Sequence, residues 1–204
     1  MSKRIFGLLI LAGLLMPVAA KADTAAWTLT PGPELNYGDY TFGAVFTANQ
    51  NIIVDALGYY DPSNGMNANA THPVALFNLT TGGPAIATTT ITSGSFLYDD
   101  FLYNSVPLVE LVKGDLYVIE GDSGTLDNYT YNVTGLSVNL PIGINGYNYQ
   151  SGNATTIADA STGGTAYYGP DFGGYGTTPE PSSLLLLGSG LAGLAGLIKR
   201  KLTA

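Results

Sequence analysis

The loop Asp61-Pro62-Ser63-Asn64-Gly65 and His72 carry the first side chains whose types could do chemistry. Ca²⁺ takes carboxylate and amide oxygens as ligands, so Asp61 and Asn64 could hold calcium together with acids from another loop. The spacing is not that of an EF-hand, and Asp-Pro and Asn-Gly also form turns. We therefore expect no cofactor, with calcium at Asp61 and Asn64 as the alternative.

His72 is the only histidine, and the chain has no cysteine. Zinc sites are usually built from several histidines or cysteines, so one histidine alone cannot form a common one. The absence of cysteine also excludes disulfides and thiolate catalysis. We expect His72 to hydrogen-bond backbone at a strand edge or a turn.

A serine nucleophile is the second chemistry to weigh. Gly121-Asp122-Ser123-Gly124 resembles the nucleophile motif of chymotrypsin-like serine proteases, and His72 with Asp99 or Asp100 precedes it in the order His, Asp, Ser. A triad needs the base within hydrogen-bond reach of the serine and an acid behind the base. The 51 residues from His72 to Ser123 are too few for two barrels. We expect a turn closing the strand of Tyr117 and no catalytic residue.

Carboxylate and tyrosine side chains could also cleave or bind glycans. Paired carboxylates cleave glycosidic bonds, but Asp99 and Asp100, if they lie in a strand, point to opposite faces and do not converge. Tyrosines on a rim can stack on sugars, although they also fill half-buried strand positions, which we expect for most of the fourteen. The tyrosines include Tyr59, Tyr60, Tyr129, Tyr131, Tyr147, Tyr149, Tyr167 and Tyr168. Tyrosines converging over a groove would favour carbohydrate binding, and two carboxylates converging in a cleft would favour a hydrolase.

Charge is distributed unevenly along the 204 residues. Six of the seven basic residues flank the two apolar ends, whereas residues 23–178 hold fourteen acids and a single base, Lys113, a formal charge of −13. A surface of this sign repels phosphate backbones, so it excludes nucleic acid as a partner, and it attracts cations.

The middle of the chain shows the features of an all-β domain. Segments rich in β-branched and aromatic residues alternate with Gly, Asn, Asp and Pro, which predicts a single β-sandwich or jelly roll over residues 23–176. Thr81–Pro84 and Lys113–Asp115 are hairpin turn signals, and Gly173–Pro181 is the predicted linker. The predicted strands are Tyr40–Ala48, Ile52–Tyr60, Val74–Leu79, Ala85–Thr92, Phe101–Pro107, Asp115–Gly121, Leu136–Ile142, Tyr147–Gln150 and Thr165–Tyr168.

The N-terminal segment predicts a secretory signal peptide over residues 1–22. Lys3-Arg4 gives a positive start, Ile5–Met16 is apolar, and Ala20-Lys21-Ala22 offers a small-x-small cleavage site. Cleavage between Ala22 and Asp23 by signal peptidase, after passage through the Sec translocon, is the expected processing.

The C-terminal segment, residues 177–204, predicts a membrane anchor. An apolar helix at about residues 182–198 follows Pro179-Glu180-Pro181, and it is followed in turn by Lys199, Arg200 and Lys201. This basic cluster stays cytoplasmic by the positive-inside rule, so the preceding domain is expected outside the inner membrane.

These three parts in this order resemble the PEP-CTERM sorting domain. The resemblance implies that exosortase, a membrane cysteine protease of bacteria that make exopolysaccharide, recognises Pro179, Glu180 and Pro181. Four segments further resemble sandwich ectodomains found on PEP-CTERM proteins, which implies a fold and a compartment but no reaction. These segments are 53–61, 71–77, 111–119 and 167–172.

The sequence thus predicts an exported, exosortase-sorted protein without catalytic activity. We expect an inner-membrane intermediate that ends at the cell surface or in the extracellular matrix, associated with exopolysaccharide or the envelope. The alternatives are a carbohydrate- or Ca²⁺-binding adhesion module and, third, a secreted hydrolase.

Overall fold

The computed structural model describes residues 24–30, 34–35, 38–61, 66–127, 129–130, 135–151 and 169–176. All regular secondary-structure elements within these residues are β-strands. The strands are β1 Thr24–Ala25, β2 Trp27–Thr30, β3 Glu34–Leu35, β4 Tyr40–Ala48, β5 Ile52–Tyr60, β6 His72–Asn78, β7 Ala87–Ile91, β8 Phe96–Tyr98, β9 Phe101–Leu111, β10 Leu116–Asp122, β11 Tyr129–Thr130, β12 Gly135–Val138, β13 Ile142–Ser151 and β14 Pro170–Gly176.

Two five-stranded antiparallel sheets pack as a sandwich. The first sheet has the order β1-β14-β5-β9-β8, and the second has the order β13-β4-β10-β6-β7. Two short pairs, β11 with β3 and β12 with β2, lie beside them. The predicted all-β sandwich is confirmed.

Aromatic side chains join the two sheets in one core. Phe46 of β4 stacks on Phe172 of β14 with ring centroids 5.0 Å apart, so each sheet contributes one ring. Trp27 meets both rings edge-on, at 6.4 Å and 5.8 Å. All three side chains are fully buried. Each stacked or edge-on pair contributes about 0.5–1.5 kcal/mol of stability beyond that from burying its apolar area. These contacts join β2 to β14, the last described strand.

Two of the predicted strands, Tyr40–Ala48 and Ile52–Tyr60, are confirmed to the residue as β4 and β5. In β4 the apolar side chains Phe42, Ala44, Phe46 and Ala48 are buried, as the period of two requires. Strands β6, β7, β9 and β10 are confirmed with shifted ends.

Two later predictions need adjustment. The predicted strand 136–142 is divided between β12 and β13, and 147–150 lies inside the longer β13. The predicted strand 165–168 lies outside the described residues.

The two predicted turns behave differently. Thr81–Pro84 joins the antiparallel partners β6 and β7, with Gly82 and Gly83 at φ of 68° and 101°, which confirms the hairpin. Lys113–Asp115 is a turn, with Gly114 at φ of 90°, but its prediction as a hairpin is wrong. Strand β9 pairs with β5 and β8, whereas β10 pairs with β4 and β6, so this turn carries the chain from one sheet to the other.

Asp99 and Asp100 do not lie within a strand. They are the two residues between β8 and β9, and both have positive φ, 52° and 66°. Two positive φ angles in a two-residue hairpin loop define a type I′ turn, whose twist matches the flanking strands.

The predicted linker is wrong over Gly173–Gly176. These residues belong to β14 and pair with β5 and, in part, with β1. A Cβ on Gly174 would lie 2.4 Å from the carbonyl oxygen of Ile53. Glycine therefore serves the close approach of two strands here, which is the other reason for glycine in a strand.

Several sequence predictions fall outside the described residues. They are the signal peptide with its Ala22–Asp23 cleavage site, Asn64, the Pro-Glu-Pro motif, the helix at 182–198 and the basic cluster. Within the described ranges, no helix has the length and apolar character needed to cross a membrane.

Candidate functional site

His72 opens β6 and packs against β5 and β10. Its imidazole stacks on the ring of Tyr59, with centroids 4.1 Å apart and planes 8° apart. Nδ1 lies 2.9 Å from the carbonyl oxygen of Asp122, and because a carbonyl only accepts, Nδ1 carries the proton and donates. The predicted backbone hydrogen bond of His72 is confirmed.

The second ring nitrogen of His72 faces an acid that the sequence did not single out. Nε2 lies 3.5 Å from Oδ2 of Asp127. Burial lowers the pKa of His72, and the hydrogen bond to Asp122 and the charge of Asp127 only partly oppose this effect. The imidazole is therefore held mainly in its neutral form.

Ser123 uses its hydroxyl to hold the start of β4. Its Oγ accepts from the Tyr40 backbone N–H at 3.1 Å and donates to the Gly38 carbonyl at 3.3 Å, while its own N–H donates to the Tyr40 carbonyl at 2.8 Å. The residue is fully buried. The motif 121–124 thus ends β10 and begins a turn, as predicted, with Gly124 at φ of 62°.

A carboxyl pair lies next to this serine. The side chains of Asp39 and Asp122 are hydrogen-bonded, and burial together with Asp39 raises the pKa of Asp122 to about 6. Asp122 also accepts from the Gly124 N–H at 2.6 Å, which opposes the rise. Both acids line a cleft of about 210 Å³. Two carboxylates at one site repel each other, and this repulsion favours the protonated form of Asp122.

The described residues do not bring Asp61 together with other ligands for calcium. Oδ2 of Asp61 accepts from the Met66 N–H at 3.1 Å, and Asn64 lies outside the described residues. Within the described part of the chain, no group of three or more His, Cys, Asp or Glu side chains could hold a metal ion.

A groove of about 470 Å³ opens on the first sheet, around Asp55. In β5, Val54 pairs with Gly174 and Ala56 with the adjacent Gly173, so Asp55 is an extra residue, a β-bulge. Ile52 and Val54 are fully buried before it, and Leu57 and Tyr59 after it, so the alternation shifts by one residue. Asp55 and Ala56 consequently both line the groove.

The β9 side of the groove is irregular as well. Val54 pairs with Val109 and Ala56 with Ser105, so three residues of β9 lie opposite the one residue Asp55. Two of these three, Val106 and Leu108, line the groove. Bulges that re-aim side chains are frequent beside binding sites.

Tyr103 forms one wall of the groove and is rigidly held. It pairs with Gly58, which pairs with Asp171, so the three lie in one row across the sheet. The ring covers Gly58, where a Cβ would meet it at 2.5 Å, and the hydroxyl donates to Oδ2 of Asp171 at 2.6 Å. Burial raises the pKa of both groups well above their ordinary values.

Of the eight tyrosines singled out from the sequence, the structure describes five, and four of these pack inside the domain. Tyr59 and Tyr60 are buried, Tyr129 packs on Tyr40 and Phe42, and Tyr147 packs against the core. Tyr149 is exposed, and Tyr131, Tyr167 and Tyr168 lie outside the described residues. The tyrosines that converge at the groove are Tyr98 and Tyr103, which the sequence pattern did not distinguish.

The comparison with protein families concerns the C-terminal segment. The model of the PEP-CTERM protein-sorting motif matches residues 177–201. The chain therefore carries a PEP-CTERM protein-sorting motif in this segment. The match confirms the resemblance predicted from Pro179-Glu180-Pro181 and the residues after it. No curated protein matches the chain.

A PEP-CTERM motif indicates an exported protein with a membrane-anchored precursor that exosortase processes at the cell surface. The matched segment follows the last described strand, β14. The motif therefore concerns the delivery of the ectodomain and gives no information about the chemistry of that domain.

Proposed function

We propose that this PEP-CTERM protein is a non-catalytic surface protein whose ectodomain associates with the exopolysaccharide matrix or the cell envelope. The observation that carries the proposal is the sorting motif at residues 177–201. In this proposal the Sec translocon and signal peptidase release Asp23 as the mature N-terminus. The helix at 182–198 anchors an inner-membrane intermediate, with Lys199, Arg200 and Lys201 in the cytoplasm, until exosortase acts.

The geometry around Ser123 supports a non-catalytic ectodomain. The serine hydroxyl holds two backbone groups of the segment that starts β4, and the proton on Nδ1 of His72 is donated to a carbonyl. The carboxyl pair of Asp39 and Asp122 is in hydrogen-bond contact, whereas the carboxylates of glycoside hydrolases stand about 5–9.5 Å apart. The cleft therefore lacks the spacing that a hydrolase of that class uses.

Replacement of Pro179, Glu180 and Pro181 by alanine tests the sorting step. The tagged variant should be exported but retained in the inner membrane, because exosortase no longer recognises it, and the unchanged chain should behave the same way in cells without exosortase. Fractionation and the mass of the mature protein report both results. A control variant with alanine at Leu202 and Thr203, which lie beyond the matched segment, should sort normally. Unchanged mass and surface display of the Pro-Glu-Pro variant would contradict the proposal.

A further inference from the structure

We propose that the groove around Asp55 binds a neutral, hydroxyl-rich sugar ring, so that the ectodomain holds a saccharide chain against its first sheet. The groove, about 470 Å³, lies within the size range of small-ligand sites, about 300–1,000 Å³. Such sites combine apolar and aromatic walls with a few polar groups that orient the ligand. The groove offers both.

Phe96 and Tyr98 supply an exposed aromatic surface at the rim. They stand two residues apart on the edge strand β8, so their side chains point to the same side, about 7 Å apart along the strand. Phe96 is 70% exposed and Tyr98 is 45% exposed. Aromatic rings left open to solvent at the mouth of a groove offer their faces to the apolar C–H face of a sugar ring. The remaining edge and hydroxyl of Tyr98 stay available to water or to sugar hydroxyls.

Tyr103 makes this surface preorganised. It pairs with Phe96 across β8 and β9, and its hydroxyl is bound to the buried Asp171. A side chain fixed in this way loses little freedom when a ligand binds, which lowers the entropic cost of binding.

Asp55 supplies the polar contact that a sugar requires. Its carboxylate is only 7% exposed yet lines the groove. The neighbouring Gly173 has no side chain, and a Cβ there would lie 3.6 Å from Oδ1 of Asp55, so glycine keeps this wall of the groove low. The carboxyl oxygens of Asp55 accept hydrogen bonds, so a ligand donates to them. The hydroxyls of Ser105 and Thr24 in the same groove both donate and accept.

The charge of the domain decides between classes of ligand. With −13 over residues 23–178 and a carboxylate inside the groove, uronic acids and sulfated sugars are repelled. An organic cation would suit the charge, but cation recognition uses aromatic faces that enclose the charge. Phe96 stands at an open rim with most of its surface in solvent. The open surface favours a chain of neutral sugars lying across it.

The test is a titration of the full chain, purified in detergent, with neutral oligosaccharides built from glucose, mannose, galactose, xylose or N-acetylglucosamine. We expect at least one of them to bind, and trigalacturonate not to bind. Phe96→Ala and Tyr98→Ala should each weaken binding about fivefold or more, and Asp55→Asn should weaken it as well. Because the first two side chains are exposed, these variants keep the fold even if Asp55→Asn does not.

Matched variants separate the groove from general surface stickiness. Tyr149 is also 45% exposed but lies on β13 of the other sheet, and Leu97 lies on β8 between the two aromatic residues without lining the groove. Tyr149→Ala and Leu97→Ala should bind as the unchanged chain does. The proposal is overturned if no neutral oligosaccharide binds at millimolar concentration or if Phe96→Ala and Tyr98→Ala bind normally. It is also overturned if tetramethylammonium competes for the site as strongly as the sugar.

Discussion

The carboxyl pair of Asp39 and Asp122 shows how a single contact makes stability depend on pH. Asp122 of β10 pairs with Thr41 of β4, and this pairing brings its side chain next to Asp39, the residue just before β4. His72 of β6 and Asp127, in the loop after β10, lie beside the pair, and Asp61 acts on His72 from the end of β5. The folded chain thus concentrates acids around one buried, mainly neutral imidazole.

Asp122→Asn should stabilise the protein at neutral pH. The folded pKa of Asp122, about 6, lies above the ordinary 3.8, so the folded state binds this proton more tightly than the unfolded state. The resulting stability is complete below about pH 4 and is lost as the pH rises through 6. Asparagine keeps the acceptor for Gly124 and donates to Asp39 without a charge. Urea unfolding should show a gain of about 1 kcal/mol at pH 7.5, allowing for solvent screening at the cleft.

The gain from Asp122→Asn should disappear at about pH 4, where the aspartic acid is protonated in both states. Asp100→Asn, which removes one charge from the turn before β9, is the charge-matched control. An equal gain in both variants would attribute the effect to net charge and contradict the role of the carboxyl pair.

Individual residues were predictable from sequence where their role is local. The backbone hydrogen bond of His72 and the turn at Ser123 follow from residue type and from neighbouring Gly, Asp and Pro. The contact of Asp39 with Asp122 spans the strand pairing of β4 with β10 and leaves no local pattern. For the groove there were two usable signals, since Asp55 interrupts the apolar run of β5 and Pro107 interrupts β9.

At the scale of elements, the β8–β9 hairpin carries a local strain that its sequence does not relieve. Asp99 and Asp100 both adopt the left-handed region, at φ of 52° and 66°. A type I′ turn prefers Asn-Gly at these positions, because glycine has no Cβ to clash there. The hairpin also presents Phe96 and Tyr98, so its geometry positions the proposed sugar-binding surface.

Asp99→Asn combined with Asp100→Gly should stabilise the fold by about 1 kcal/mol, the scale of the left-handed penalty for one ordinary residue. Thermal unfolding followed by circular dichroism should show a Tm about 2–4 °C higher. Asp99→Asn with Asp100→Asn is the matched variant, since it removes the same two charges and keeps a Cβ at position 100. If the two double variants melt together, the gain comes from charge, and the strain argument fails.

Elements were predictable where β-branched and aromatic residues fill a segment and turn-forming residues bound it. The bounds of β4 and β5, which meet both conditions, were predicted to the residue. β14 was missed because Gly173 and Gly174 resemble a linker, while their function is to let strands approach. β8 was missed because its three exposed residues, Phe96, Leu97 and Tyr98, show no buried face.

At the scale of the whole molecule, the charge of the ectodomain opposes its own compactness. The fourteen acids over residues 23–178, which a single base opposes, repel one another, and counterions reduce this repulsion. Exposed charges are screened over about 10 Å at 0.1 M salt. Calcium that bound a specific site in the folded state would add to this screening by mass action.

Calcium should stabilise the full chain no more than sodium at equal ionic strength. The described residues contain no cluster of three or more metal-ligating side chains, and Oδ2 of Asp61 already accepts from the Met66 N–H, so diffuse screening is the expected effect of either cation. Tm is measured in about 5 mM CaCl₂ and in about 15 mM NaCl, which have the same ionic strength. A higher Tm in CaCl₂ would contradict this and indicate coordination. In that event Asp61→Asn and Asn64→Ala should abolish the difference if the loop at 61–65 holds the ion, because coordination needs those oxygens whereas screening does not.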